Sequence, residues 1–482
     1  MVQKMKYKKV LLITPTYSGS RVRRVLSAGL GYIAQTLQDN SIQYDILDMS
    51  IGHNYKILHK KINGFQPDLI GIGMMTYKYK ETYETLNNCR KNFPDIDIVA
   101  GGPHISLFRE QVLEDCPSIS FGIVLEGEKT IIELCQGKNP SEIKGLIYRN
   151  SKNIIYTGDK EFIENLDSIS FPRYEKFNLD KLINKETSAL PIVSSRGCPF
   201  QCIYCPVNLA IGHKFRVRSP ENIVAELKYW YSYGYRRFSF ADDNFTLLKD
   251  RVYKICDLIN QSPMKDLKLS CDNGIRADKV DRDLLKTMKE TGFWRIAIGV
   301  EAGNDKILKI LKKQEKIEQI KEVIKDACDL GFEVDLFFLV GAPGETLSDL
   351  QDSFKIVEDF PIASAYFYNI IPFPKTQLYE WIEKNGRFLK KSQDYLNENP
   401  ILDMIPVFET PQMSKKERQK ALKDASKIMR KTMRKIWQKR MKKYGFAGEI
   451  ASNMYTTSFV QNKLLRIKTF KNLISKIVRI FF

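Results

Sequence analysis

Residues 196–207 read RGCPFQCIYCPV. Cys198, Cys202 and Cys205 are separated by three residues and then by two. Thiolate and imidazole metal sites ordinarily have four ligands, and this stretch supplies three. Two readings follow from the residues. Zinc would need a fourth ligand, for which His213, eight residues after Cys205, is the candidate. A cluster of four irons on three thiolates leaves one iron open to a substrate or cofactor. The chain has nine cysteines, an odd number with only this one tight group, so a disulfide framework is not expected. A reduced, cytoplasmic setting is expected instead.

The cysteines sit just after the first strand of a repeating series. From Pro191 the runs PIVSSR, RRFSFAD, LKLSCDN, WRIAIGVE, EVDLFFLVG and AYFYNIIPF read as strands separated by helical stretches. Six βα units in a row predict a partial (β/α)6 TIM-type barrel, with its chemistry at the C-terminal rim. Residues 8–135 alternate KKVLLITPT, YDILDM, PDLIGIGMMT, IDIVAGGPH and FGIVLEGE with amphipathic helices. That pattern predicts a parallel sheet covered on both faces, with ligands beyond the carboxyl ends of its strands. The expected division is a Rossmann-like (flavodoxin-like) α/β domain over 1–140 and a connector with a β-hairpin over 141–190. The barrel then covers 191–412 and a basic helical region 413–482.

CxxxCxxC after the first strand of an α/β barrel resembles the signature of the radical S-adenosylmethionine (SAM) superfamily. Later motifs resemble it in the same order. FADDNF ends the second strand, and the resemblance places the SAM amino group at Ala241, Asp242 and Asp243. It gives Arg276 of DNGIRAD the SAM carboxylate, Glu301 of GVEAGND the ribose, and Gly341 of FLVGAPGET the adenine side. Tyr204 matches the aromatic residue before the last cysteine. Each residue also has a plain structural reading. The aspartates could form a helix cap, Gly341 and Gly344 a turn, Glu301 could be surface, and Arg276 structural. The order of the motifs carries the resemblance.

The first domain resembles the cobalamin-binding domain joined to many radical SAM enzymes, on GLGYIAQTL, PDLIGIGMMT, IVAGGPH and EGE. The resemblance implies that the loops bearing Thr76, Gly101, Gly102, His104 and Gly127 surround the corrin. The usual Asp-x-His-x-x-Gly motif is missing, since DMSIGHNY has Ser50 at the histidine position. The alternative is a Rossmann-like domain that only lines the substrate pocket.

What the resemblance implies is an enzyme with a 4Fe-4S cluster bound by Cys198, Cys202 and Cys205, together with SAM and cobalamin. The reduced cluster cleaves SAM, and the resulting 5′-deoxyadenosyl radical takes hydrogen from an unactivated carbon. Methylcobalamin then delivers a methyl group. Cyclisation or oxidative rearrangement without methyl transfer is the alternative. The partners expected are a small-molecule or lipid-like substrate and an electron donor such as flavodoxin or ferredoxin.

Charge is confined to one end. Residues 413–482 hold 20 Lys and Arg against three acids, a net of +17 out of +19 for the chain. Leu464, Ile467, Phe470, Ile474, Ile477, Val478 and Phe481 share one helical face there. The region reads as a helical cap on the barrel or as a basic amphipathic helix on an anionic membrane surface. Nothing marks a specific nucleic-acid interface. No run of 18 apolar residues occurs, so no spanning helix is expected.

Overall fold

The computed structural model describes residues 5–15, 26–151, 153–398 and 405–441. Short apolar runs bounded by polar turns build the first sheet. Its strands are β1 (Lys9–Thr14), β2 (Gln43–Asp48), β3 (Leu69–Gly73), β4 (Asp97–Gly101), β5 (Phe121–Ile123), β6 (Leu146–Asn150) and β7 (Asn153–Tyr156). They lie in the order β2-β1-β3-β4-β5-β6-β7. The first five are parallel, and 2-1-3-4-5 is the flavodoxin-like order. Alternation along β1 sends Val10 and Leu12 into one core and Leu11 and Ile13 into the other, which is why the strand is apolar throughout. The connector's hairpin, β6 and β7, pairs antiparallel onto β5, so the sheet runs on past residue 140.

The second sheet begins with β8 (Leu190–Ile192). A two-residue ladder follows, β9 (Ser195–Arg196) against β10 (Arg216–Val217), and closes a loop over residues 197–215. Then come β11 (Arg237–Phe240), β12 (Lys268–Ile275), β13 (Phe293–Glu301), β14 (Glu333–Val340) and β15 (Ser364–Asn369). The order β15-β14-β13-β12-β11-β8 is parallel throughout and contains all six expected strands. Good caps start the crossover helices. Ser219 accepts from Asn222 N ahead of Pro220, and Thr346 with Asp349 forms a capping box.

Burial along these strands is inverted relative to a filled barrel. Residues facing the helices, such as Phe238, Leu336, Phe338 and Phe367, are buried, while Ser239, Phe337, Tyr366 and Tyr368 on the other face are half-buried. The inner face therefore lines an open lumen instead of a packed one.

The helix Lys415–Met441 packs on β14, β15 and the helix Leu347–Asp359. Arg418, Ala421, Leu422 and Ala425 are its buried stripe. This first part of the basic region is thus a cap on the barrel. The amphipathic stretch at 464–481 lies outside the described residues. Among those described, no helix is long and apolar enough to cross a membrane.

Arg418 is fully buried and donates from Nη2 to Gly341 O at 3.2 Å. Gly341 has φ +97°, and a Cβ there would stand 2.2 Å from the guanidinium carbon of Arg418. Gly341→Ala is expected to destabilise the protein by about 1–3 kcal/mol through strain and collision together. Denaturant titration of the variant against the parent measures it.

Candidate active site

Gly197 starts the cysteine loop with φ +86°, and a Cβ there would lie 2.3 Å from Lys214 O, so only glycine lets the loop's two ends meet. Cys198 N donates to Gly212 O (3.3 Å) and Cys205 N to Cys202 O (3.1 Å). Ile203 N donates to Leu311 O (3.1 Å), which ties the loop to the barrel rim. The three cysteines are partly exposed and unpaired. Burial pushes the Cys205 thiol up to about 12, so free thiolates are disfavoured here and a bound positive centre would stabilise them. Among the described residues, no three His, Cys, Asp or Glu side chains gather tightly enough to hold one metal ion. Thiols spread over a loop suit a cubane, in which each binds a different iron. Asn244 Nδ2 donates to Cys198 Sγ at 3.2 Å.

The two aspartates at the end of β11 differ in employment. Asp242 is buried and accepts from Ser194 N (2.6 Å), the Ser194 hydroxyl, and Ser195 Oγ (2.7 Å). Its carboxylate fastens the end of β8 and is saturated. Asp243 is half-buried and has no hydrogen-bond partner among the described residues. Burial, then the Asp242 charge, pushes its carboxyl up to about 6. Ala241 is exposed beside them and pairs its N–H with Ile192 O (2.9 Å).

On the far side of the loop, Arg276 is buried and stacks 3.6 Å over the Phe200 ring. It donates from Nε to Asp278 (2.8 Å) and from Nη2 to Lys313 O (2.8 Å). Two of its nitrogens therefore hold protein partners, which is the structural reading of this residue. Glu301 closes β13 with φ +66°, rare for a residue with a side chain and concentrated at functional sites. It is buried, 3.3 Å from Lys313 Nζ, so it is not a surface residue. Lys313 also meets Glu315 at 3.3 Å. Burial and then Glu301 push the Tyr204 phenol up. At Gly341, the N–H donates to Glu345 Oε2 at 2.6 Å. Burial raises the Glu345 carboxyl to about 7 against those backbone donors and Arg418.

The first domain's loops meet this site edge to edge. Met75, Thr76, Pro103 and Leu107 face Pro206 and Ala210 of the cysteine loop across an apolar cavity of about 190 Å³. The cavity lining contains no histidine. His104 does not reach it. The ring is 3% exposed, stacked on Tyr79 at 4.5 Å and close to Phe108 and Tyr83. The turn after Pro103 aims the ring into the aromatic core, as a satisfied histidine would sit, and away from this cavity. Gly102 has φ +100°, and a Cβ there would lie 2.9 Å from Met74 O, so its close approach is to β3. Gly101 packs near Ile123 and Gly127 near Ile33. Of the five first-domain residues, Thr76 alone lines the cavity.

Residues 192–357 match the radical SAM superfamily, and residues 19–135 match the B12 binding domain. The chain is a radical SAM enzyme with an N-terminal B12-binding domain. These domains imply a 4Fe-4S cluster, SAM and cobalamin. An uncharacterized methyltransferase of Pyrococcus horikoshii is 28% identical over 422 residues, 85% of this chain and 91% of that protein. The anaerobic magnesium-protoporphyrin IX monomethyl ester cyclase of Cereibacter sphaeroides is 26% identical over 339 residues, 68% of this chain and 55% of that protein. In fold, the chain resembles the cobalamin-dependent SAM radical enzyme OxsB with aqua-cobalamin bound. The TM-score is 0.73 at 19% identity, covering 98% of this chain and 76% of that one.

The donor sets of this radical SAM enzyme fit those groups. Three thiols share one loop, and the cavity between the domains, apolar and without histidine in its lining, opens at the edge where a corrin would lie, although its volume of about 190 Å³ takes only part of one. Sequence reasoning missed Lys313, Arg418 and the partners of Glu126 and Glu128. No local motif surrounds Lys313 or Arg418, so only the fold shows them at the rim.

Burial lowers His104 from 6.5 to about 3. Between these values the unfolded chain binds a proton that the folded one refuses, so stability falls as pH drops below about 6.5. The wild type is expected to lose about 1 kcal/mol more than His104→Gln between pH 6.5 and 5.5. Denaturant midpoints at the two pH values check this.

Proposed function

We propose that the enzyme transfers a methyl group from cobalamin to an unactivated carbon of a small molecule, after radical cleavage of SAM. The observation that carries the reading is the shared cavity. It sets the ligand edge of the B12-binding domain, at Thr76 and Pro103, directly against Pro206 and Ala210 of the cysteine loop. When bound, the cluster supplies the electron that splits SAM, and cobalamin supplies the methyl carrier.

The chain's own residues do the holding. Cys198, Cys202 and Cys205 anchor the cluster, and Asn244 orients Cys198 by its hydrogen bond. Asp243 is the carboxylate left to receive the SAM ammonium, while Asp242 keeps the strand end beneath it rigid. Glu301 is offered to the ribose from its left-handed turn, and Arg276 flanks the SAM carboxylate. Gly341 presents backbone to the adenine with Glu345 bracing the turn.

The lumen receives the substrate. Its inner face carries Asp272, which accepts from Ser239 (2.9 Å) and Ser270 (3.0 Å), beside Arg295. Tyr366 and Tyr368 stack at 6.0 Å to form an aromatic wall. That lining favours a polar molecule with a flat or apolar face over a bare lipid chain. Filling the lumen would expel water from the reacting atoms. The second reading, ring closure without methyl transfer, draws on the likeness to the cyclase.

Anaerobic incubation with methyl-labelled SAM in host extract separates the two readings. Label in a carbon-bound methyl of a new product is the expected outcome. Formation of 5′-deoxyadenosine and a cyclised product without label would overturn methyl transfer. Cys198→Ala is expected to abolish both the cluster absorbance and SAM cleavage. Asp243→Asn is expected to weaken SAM binding about 10- to 100-fold, since a charge-assisted hydrogen bond is lost while the cluster stays. Equilibrium binding of SAM to the reconstituted protein measures it.

A further inference from the structure

The neck of the cysteine loop is made of two arginines placed opposite each other. In the β9–β10 ladder, Arg196 pairs with Arg216. Like charges directly across an antiparallel ladder repel, and these side chains are only 13% and 2% exposed. Nothing in the loop itself neutralises them. Both reach into the first domain. Glu126 Oε1 takes Arg196 Nη1 at 2.9 Å and Arg216 Nη1 at 2.7 Å, so one oxygen bridges the pair. Glu128 Oε1 takes Arg196 Nη2 at 2.7 Å. The Tyr32 ring, also in the first domain, lies 4.8 Å from the Arg196 guanidinium.

Glu126 and Glu128 stand on the turn after β5. Leu125, just before them, has φ +62°, a strained conformation for a residue with a side chain. Glu126 Oε2 also accepts from Ile163 N at 2.9 Å. Burial would raise the Glu126 carboxyl, but Arg196, the Ile163 amide and Arg216 hold it below the usual range. The four side chains sum to zero charge, which is what a mostly buried ionic group requires.

We infer that Glu126, with Glu128, is a positioning residue for the cluster: the B12-binding domain holds closed the neck of the loop that binds the iron–sulfur centre. The inference rests on the assignment of the three cysteines as cluster ligands. Cys198 is two residues beyond Arg196, so an open neck displaces the first ligand from the other two. Cluster loading in the second domain therefore depends on carboxylates of the first, neither of which is a ligand.

The test is anaerobic cluster reconstitution of the full chain, with iron and acid-labile sulfide per chain and the EPR of the reduced cluster as readouts. Glu126→Gln leaves two opposed arginines with one carboxylate and is expected to load about fivefold less cluster or worse. In E126Q/R216M the charges balance again, and loading is expected to return to within about twofold of wild type. A residue that merely supported the fold would show additive losses in that pair. Wild-type loading by E126Q, or a double variant no better than E126Q, would overturn the inference. Far-UV circular dichroism and corrinoid binding on the same samples report folding. If E126Q does not fold, Glu128→Gln, which frees one contact of Arg196 only, is measured instead. A partial loss is then expected, and unchanged loading overturns the inference. Cys198→Ala is the control. Retention of its cluster would mean that the ligand assignment fails, whereas its loss beside full loading by E126Q defeats only the role of Glu126.

Discussion

One carboxylate oxygen of Glu126 meets guanidinium groups of Arg196 and Arg216, and the relation between the two halves of the molecule follows from that contact. Buried ions are costly to desolvate, and such a group persists only when every charge is matched. Here the matching is possible only across the domain boundary, because the loop contributes both cations and the first domain both anions. The contact therefore does more than glue two surfaces. It fixes where the cysteine loop starts relative to the strand ends of the first sheet. The apolar cavity shared by Thr76, Pro103, Pro206 and Ala210 lies along the same boundary.

The barrel shows a second constraint. Its outward residues are buried under the helices, while Ser239, Asp272, Tyr366 and Tyr368 on the inner face remain partly or fully exposed. A sheet with edges at β8 and β15 can stay open in this way because it is six strands wide and does not close. The described part of the basic C-terminal region closes one side. Arg418 runs from that helix into the turn at Gly341, above the Phe408 ring at 4.0 Å. Nη1 and Nε of Arg418 have no hydrogen-bond partner among the described residues, and Glu345, then Glu409, supply the compensating charge. The described part of the basic region thus packs on the rim, in the manner of the helical cap that was one of the two readings of its sequence.

The strands, their order of appearance and the cysteine loop were legible because each depends on local pattern: apolar runs with turn residues between them, and cysteines at fixed spacing. The motif residues come together at the strand ends, and the hydrogen bonds each makes are what the local sequence does not show. Asp242 and Asp243 are adjacent in the chain, but only the Ser194 and Ser195 donors reveal that one is structural and the other free. Gly102, expected to let the backbone approach a ligand closely, also approaches Met74 O so closely that a Cβ would not fit. His104 looked like a loop residue and is packed among Tyr79, Tyr83 and Phe108.

By itself, then, the sequence determined the two α/β series and the tight cysteine loop, since periodicity and short-range spacing are properties of contiguous residues. Only the tertiary structure decided which charges meet. Arg196 and Glu126 are 70 positions apart and Arg418 and Gly341 77. Nothing in the intervening residues encodes either pairing. The first arises because packing brings two buried ions together where water cannot screen them, and the second because a buried guanidinium must find an acceptor, here a backbone carbonyl.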